Sequence, residues 1–220
     1  MRKDIRLGFK LLRYSYKFKV NVLIICFFVL IGVLMIFSNV EGFLLGSIYL
    51  FLGPIMMLQM NYSLMHAQLV SVSNRRRFLE LTFPNLVSCI SGVLLYLTLS
   101  VLACVFAGLR PQQKTTYSIS IIFVSIIIVI CMIYYGICYK YFIFGTILFA
   151  CTFSAFYVFF RESLILFFMR TVGVNILTTF SIGLVIILAG CVVSCLLRRA
   201  FYRKPVSRLS LGANLRKAMQ

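Results

Sequence analysis

The sequence has 220 residues, of which 62% are hydrophobic and 12% are charged, and its net charge at pH 7 is +18. Soluble domains carry roughly 25% charged residues, so this composition excludes an ordinary soluble fold and indicates lipid as the main solvent. Because the basic residues flank apolar stretches, membrane topology and anionic lipid explain the positive charge better than nucleic acid does.

Residues 1–19 predict a basic amphipathic helix. Within residues 2–18, apolar and basic residues form two neighbouring stripes at helical spacing: Ile5, Phe9, Leu12 and Tyr16 beside Arg6, Lys10, Arg13 and Lys17. A helix of this kind lies in the membrane interface with its apolar face buried in the leaflet. The alternative is a disordered basic tail that only sets the topology.

Six apolar stretches approach the length of about 20 residues that a helix needs to cross a membrane. They are residues 20–37, 43–62, 86–107, 118–135, 142–160 and 177–197. Lipid cannot hydrogen-bond a bare backbone, so a spanning segment is a helix or part of a closed barrel, and these runs lack the alternation of barrel strands. The sequence therefore predicts an all-α polytopic membrane protein, with residues 1–220 forming one transmembrane domain.

The second stretch has features that suit either a transport pathway or ordinary packing. Gly42 and Gly46 have the small-xxx-small spacing that allows two membrane helices to approach closely. Pro54 removes a backbone donor in mid-span and is expected to kink the helix. The polar Gln59 and Asn61 follow, and together with Pro54 they are candidates for lining a pathway.

Residues 63–84 form the longest polar segment between two spans. Asn74 is suited to cap a short helix, and Pro84 is suited to end it. Beside three arginines the segment carries four apolar residues, Phe78, Leu79, Leu81 and Phe83. This mixture favours docking to a protein surface. The alternative is an interfacial stretch whose arginines follow the positive-inside rule.

The last two segments are the predicted external segment 161–176 and the predicted basic tail 198–220. The apolar part of the external segment, residues 164–169, is too short to cross a membrane, so it is expected to lie at the interface or to re-enter the membrane.

The distribution of cations predicts the orientation. Eighteen of the 22 Lys and Arg lie on the side of the two termini, within residues 1–19, 75–77, 140 and 198–217. The opposite side holds Arg110, Lys114, Arg161 and Arg170. Since Lys and Arg collect on the cytoplasmic side, both termini are predicted to be cytoplasmic.

The sequence offers no recognisable catalytic or metal centre. The four acidic residues lie in predicted tails and loops: Asp4, Glu41, Glu80 and Glu162. No carboxylate pair is thus placed for acid–base chemistry within the membrane. His66 is the one histidine, and the spacing of the eight cysteines suggests no metal site. We expect no enzyme activity and no cofactor, and the sequence lacks a phosphate-binding loop for ATP.

The layout resembles the permease subunits of type 2 ATP-binding-cassette exporters, the bacterial group that includes antimicrobial-peptide and lantibiotic transporters. Those permeases have a basic amphipathic N-terminal helix, six spans, a coupling helix between the second and third spans, and a partly re-entrant stretch before the sixth. The corresponding residues here are 2–18, 71–83 and 161–175. The most motif-like stretch is residues 73–84, SNRRRFLELTFP.

This resemblance implies a non-enzymatic permease subunit in a bacterial plasma membrane. Its partners would be a separate cytoplasmic ATPase and a second permease, either a copy or a paralogue, and its substrate a peptide or another amphipathic or apolar molecule. The residues implied to contact the ATPase are Asn74, Arg75, Arg76, Arg77, Phe78, Leu79 and Glu80.

Two alternatives stay open at this point. One is the substrate-binding membrane subunit of an energy-coupling-factor vitamin importer, which would need small-residue docking motifs in its first span. That span offers only Cys26 and Gly32 as small residues. The other alternative is a stand-alone membrane immunity or scaffold protein.

Overall fold

The computed structural model describes residues 2–15, 17–66, 77–138, 141–155 and 175–202. In these ranges all regular secondary structure is helical, which confirms the all-α prediction. The α-helices are α1 (Arg2–Leu12), α2 (Phe18–Ile36), α3 (Val40–His66), α4 (Phe83–Leu109), α5 (Lys114–Cys138), α6 (Phe142–Ala155) and α7 (Ile176–Tyr202). A π-helical turn (Phe78–Thr82) leads into α4, and a 3-10 turn (Pro111–Gln113) leads into α5.

Each of the six predicted spans coincides with one of the helices α2 to α7. Within the described ranges, four helical segments are long and apolar enough to cross a membrane: Phe18–Ile36, Phe78–Leu109, Pro111–Cys138 and Ile176–Tyr202. Helix α3 has 27 residues and contains the apolar stretch Gly42–Met57. The described part of α6 has 14 residues, fewer than the roughly 20 that a crossing needs. Crossing by α3 and α6 therefore remains a sequence prediction.

Helix α5 forms the centre of the bundle. In its most apolar window 72% of the residues are buried, against 11% in the corresponding window of α2. Helix α5 contacts α3, α4, α6 and α7, and residues 117–125 are buried without interruption. Helix α2 packs chiefly on α3 and exposes large apolar side chains such as Leu23 and Leu34. Such a surface is what lipid solvates.

Small residues bring α2 and α3 together. A Cβ atom added to Gly46 would lie 2.6 Å from the carbonyl oxygen of Gly32, so the two backbones touch at this crossing. The close approach predicted from the glycine spacing is therefore confirmed for Gly46. Gly42 has a different place, in the first turn of α3, where its N–H donates a hydrogen bond of 2.6 Å to Asn39 Oδ1.

Helix α7 buries one narrow stripe of residues against α4 and α5. The stripe consists of Thr179, Gly183, Ile187, Gly190, Ser194 and Arg198. Their spacing of three or four residues places all six on one helix face. Ser194 Oγ donates a hydrogen bond of 3.0 Å to the carbonyl oxygen of Met132 in α5. The largest member, Arg198, lies at the end of this small-residue stripe.

Helix α1 packs on the bundle and ends at Leu12, earlier than the predicted limit of residue 18. The chain turns over residues 13–15, and Lys17 adopts a left-handed conformation with φ of 51° before α2 begins. Leu12 is buried, and the ring of Phe9 meets the ring of Phe83 edge-on at a centroid distance of 5.3 Å. Helix α1 is therefore attached to the start of α4 and keeps Phe9 and the basic residues at the surface.

Candidate functional site

The two ends of the bundle differ in character. We call one the basic end: it comprises α1, the α1–α2 turn with the start of α2, the π-helical turn with the preceding Arg77, and the last turns of α7. The cations whose side chains the structure describes there are Arg6, Lys10, Arg13, Lys17, Lys19, Arg77, Arg198 and Arg199. We call the other the aromatic end, which comprises the α2–α3 and α4–α5 connections. Its described cations are Arg110 and Lys114.

Packed rings fill the aromatic end. Phe43 is fully buried, and its ring meets those of Phe106 and Tyr117 at centroid distances of 6.4 and 6.0 Å. Phe37 packs edge-on against Phe106 at 5.6 Å. Arg110 Nη1 donates a hydrogen bond of 3.3 Å to the hydroxyl oxygen of Tyr117. Among the described residues, these contacts fill the aromatic end with packed rings.

The π-helical turn is the first distinctive feature of the basic end. The N–H of Phe83 donates to the carbonyl oxygen of Phe78, five residues earlier. The next residue, Pro84, has no N–H for an ordinary helical bond, and its ring needs room beside the preceding turn. A local π turn accommodates both requirements and keeps the helix continuous. Turns of this kind occur frequently at functional sites.

The residues predicted to contact an ATPase separate into three groups. Asn74, Arg75 and Arg76 lie outside the described residues. Arg77 is exposed, and Phe78 is half-buried.

Leu79 and Glu80, in contrast, are only 2% and 8% exposed. Both residues are predicted ATPase contacts; the structure places their side chains inside the described bundle, and their contact with a partner stays a prediction. The π turn runs directly into α4, so its inward face packs within the chain itself. The surface left for a partner at this turn is that of the exposed Arg77 and Thr82 and the half-buried Phe78 and Leu81.

Of the three predicted pathway residues, the structure describes the side chain of Pro54. Helix α3 continues through Pro54, whose side chain is half-buried. The side chains of Gln59 and Asn61 lie outside the described part of the structure. Lining of a pathway by these residues stays a prediction, and the candidate site described below lies at the basic end.

A cavity of about 570 Å³ lies between the π turn, the start of α4 and the end of α7. Its polar lining consists of Arg77, Thr82, Asn85, Cys89, Cys195 and Arg199. The Sγ atoms of Cys89 and Cys195 are 3.9 Å apart and link the two walls. The buried Oδ1 of Asn85 has no hydrogen-bond partner among the described residues. This cavity carries two guanidinium groups and no carboxylate on its described walls.

Arg198 lies next to this cavity and is 1% exposed. Its Nε, Nη1 and Nη2 atoms are all buried, and none has a hydrogen-bond partner within the described ranges. Its side chain passes Gly136 of α5, where a Cβ atom would lie 3.8 Å from Arg198 Cγ. Its neighbour Arg199 lines the cavity, whereas Arg198 is on the adjacent, buried face of α7.

Sequence reasoning missed Arg198 by assigning it to a basic tail, 198–220. Helix α7 instead continues to Tyr202, with Arg198 on its buried face. A signal was present, because Arg198 continues the three-to-four residue spacing that begins with Gly183, Ile187 and Gly190. The predicted span ends at the last apolar residue, Leu197, whereas the buried stripe continues one residue further, to Arg198.

No family model, curated protein or solved structure matches this chain. The class of protein therefore follows from the fold and composition alone. Long apolar helices packed around α5, with cations gathered at the basic end, define an all-α polytopic membrane protein. In the described part of the chain, His, Cys, Asp and Glu side chains form no cluster of three that is suited to a metal ion.

Proposed function

We propose that this chain is the membrane-spanning permease subunit of an ATP-binding-cassette transporter in a bacterial plasma membrane, exporting a peptide or another amphipathic or apolar substrate. ATP would be hydrolysed by a separate cytoplasmic subunit docked at the basic end. The observation that carries the proposal is the π-helical turn Phe78–Thr82, which joins the exposed Arg77 to α4 without a break.

This continuity suits the transmission of a mechanical stroke. Leu79 anchors the π turn in the core, and the turn continues into the 27 residues of α4. Helix α4 in turn packs on α5 and α7, and Phe83 at its start contacts α1. A displacement applied at Arg77 would therefore move packed helices as a body, as in other coupled conformational changes.

The packing of α5 favours a pathway between two subunits. Because α5 fills the centre of the described bundle with buried side chains, a substrate would move along an outer surface of the chain. A second permease copy or paralogue would supply the other wall. A substrate with few charges suits this arrangement, since charged groups within a membrane normally need paired partners.

The test is co-purification from the native host in mild detergent. The unaltered full-length chain is compared with the double variant Arg77→Ala/Phe78→Ala and with a matched control, Arg13→Ala/Tyr14→Ala. The control removes one cation and one aromatic ring from exposed positions after α1. Bound proteins are identified by peptide mass spectrometry, and ATP hydrolysis by the purified complex is measured.

We expect the unaltered chain and the control to retain an ATPase, and the Arg77/Phe78 variant to lose it. Absence of an ATPase from every sample would overturn the proposal and favour a stand-alone membrane immunity or scaffold protein. An ATPase recovered together with a tightly bound vitamin would favour the importer alternative. Equal recovery with both variants would contradict docking at the π turn.

A further inference from the structure

We propose that the cavity at the basic end binds a phosphate group. Arg77 and Arg199 would contact the phosphate oxygens directly, and Arg198 would supply a buried positive charge beside them. The phosphate would belong to a phospholipid headgroup or to free phosphate. This inference rests on the cavity and on Arg198, and it stands whether or not an ATPase docks on the same end.

The first argument is the burial of Arg198. The Arg198 guanidinium is 1% exposed and has no hydrogen-bond partner among the described residues. It has therefore lost its hydrogen bonds to water without gaining hydrogen bonds to described protein groups. Burying an ion in this way is costly unless an opposite charge and hydrogen-bond acceptors accompany it. No described acid forms an ion pair with Arg198. An anion bound in the neighbouring cavity, which Arg199 lines, would supply an opposite charge near Arg198 without contacting it.

The second argument is the composition of the cavity walls. Arg77 and Arg199 line the space from two sides, one next to the π turn and one on α7. Arginine has a planar set of donors that matches phosphate oxygens in pairs, and it is well suited to phosphate recognition. Leu81 and Leu86 also line the cavity and lower the local dielectric, which strengthens attraction between charges.

Asn85 adds a third, independent observation. Its Oδ1 atom is buried in the cavity wall and has no donor among the described residues. An acceptor left without a donor is unfavourable, so a ligand that brings a hydroxyl group suits it. A protonated phosphate oxygen carries such a hydroxyl, and so does the glycerol headgroup of phosphatidylglycerol.

The size and the place of the cavity agree with these ligands. Its volume of about 570 Å³ falls within the range of roughly 300–1,000 Å³ of small-molecule sites. It lies where the apolar turns of α7 give way to Arg198 and Arg199, at the level where lipid phosphates are expected. A cavity at this depth is accessible to a lipid from the side and to a soluble ion from the end.

The test measures thermal unfolding of the purified full-length chain in a neutral detergent. Unfolding is followed with a thiol-reactive dye, because the chain has eight cysteines. Phosphatidylglycerol, inorganic phosphate and citrate are titrated separately. The double variant Arg77→Gln/Arg199→Gln is compared with Arg6→Gln/Arg13→Gln, which removes the same charge from exposed positions on and after α1.

We expect phosphatidylglycerol or inorganic phosphate to raise the Tm of the unaltered chain. Loss of charge-assisted hydrogen bonds should raise the ligand concentration needed for this rise by about tenfold or more in the Arg77/Arg199 variant. The control should respond as the unaltered chain does. A response to phosphatidylglycerol alone identifies a lipid site, and a response to inorganic phosphate identifies a soluble ligand. No rise with either, an equal rise with citrate, or equal weakening in both variants would overturn the proposal.

Arg198→Met provides a second readout, because it keeps most of the side-chain length and removes the charge. Replacing a buried charge by an apolar group is often neutral or stabilising when no partner is present. We expect this variant to be at least as stable as the unaltered chain without phosphate and to gain less from added phosphate. Equal destabilisation with and without phosphate would contradict the role of Arg198. If the variant does not fold, the two double variants decide the question.

Discussion

The aromatic end and the basic end lie at opposite ends of the same helices, and they differ in how their side chains are packed and hydrogen-bonded. At the aromatic end, Phe43, Phe106 and Tyr117 fill the space with rings, and Arg110 bonds to the Tyr117 hydroxyl. At the basic end, the helices leave a cavity, and the Arg198 guanidinium and Asn85 Oδ1 lack partners in the described structure.

This difference suggests that the aromatic end mainly stabilises the fold and that the basic end is the better candidate for a functional site. The aromatic end gains the packing energy that holds the bundle, whereas the basic end keeps polar groups that folding alone does not satisfy. Local departures from good packing and hydrogen bonding are expected at functional sites and are offset elsewhere in the fold. The comparison therefore supports the basic end as the place where we propose partner and ligand binding.

The largest expected effect is at the aromatic end. Phe43→Ala should lower the free energy of unfolding by about 3–5 kcal/mol, because it empties a fully buried ring site between Phe106 and Tyr117. Unfolding of the purified chain with increasing denaturing detergent measures this change. The control is Phe144→Ala in α6, where the ring is 62% exposed. An equal loss in both variants would contradict the assignment of stability to the aromatic end.

The crossing of α2 and α3 comes next. Gly46→Ala should cost about 1–3 kcal/mol, because its Cβ would press on the Gly32 backbone, which cannot rotate away. Gly108→Ala is the matched control: nothing lies within 4 Å of the new Cβ, and alanine favours a helix. Thermal unfolding should show a lower Tm for the first variant and an unchanged or higher Tm for the second. The reverse order would refute close packing of α2 on α3.

A smaller effect is expected between α4 and α7. Tyr96→Phe removes the hydroxyl that donates a hydrogen bond of 2.6 Å to the Phe180 carbonyl oxygen. The free energy of unfolding should fall by about 1 kcal/mol, the typical net contribution of one hydrogen bond. Tyr14→Phe, at a position that is 75% exposed, should leave stability unchanged. An unchanged Tm for Tyr96→Phe would show that this bond does not hold α7 on α4.

The smallest effect is expected at the basic end. Arg77→Gln should change the free energy of unfolding by less than about 0.5 kcal/mol, because Arg77 is an exposed side chain. Thermal unfolding without added phosphate measures this change. A loss as large as that of Phe43→Ala would mean that Arg77 serves the fold, and the contrast between the two ends would fail.

Hydrophobicity and helix length predicted the helices of the fold, and the glycine spacing predicted the close approach at Gly46. The sequence did not distinguish α5 from α2. Both helices are apolar on every face, and since lipid tails are about as apolar as leucine, composition cannot tell a helix surrounded by protein from one surrounded by lipid. Which helix is central depends on contacts such as those of Gly92 and Gly190 with α5, which form only in the folded bundle.

The candidate site was predicted in part. The sequence pointed to the arginine-rich segment before α4, and Arg77 lines the cavity there. It did not predict that Leu79 and Glu80 are buried or that Arg198 joins the same region. These placements depend on the π turn, which arises from Pro84, and on the packing of α7 against α5, which brings residues more than 100 positions apart to one cavity.

The most direct test determines on which side of the membrane the basic end lies. Single cysteines are introduced as Arg77→Cys and Gln112→Cys, both exposed positions, in a chain whose eight native cysteines are replaced by alanine. A membrane-impermeant maleimide is applied to intact cells and to inside-out vesicles. The account predicts labelling of Arg77→Cys only in inside-out vesicles and of Gln112→Cys only in intact cells. The reverse pattern, or labelling of both positions from the same side, would contradict a cytoplasmic basic end.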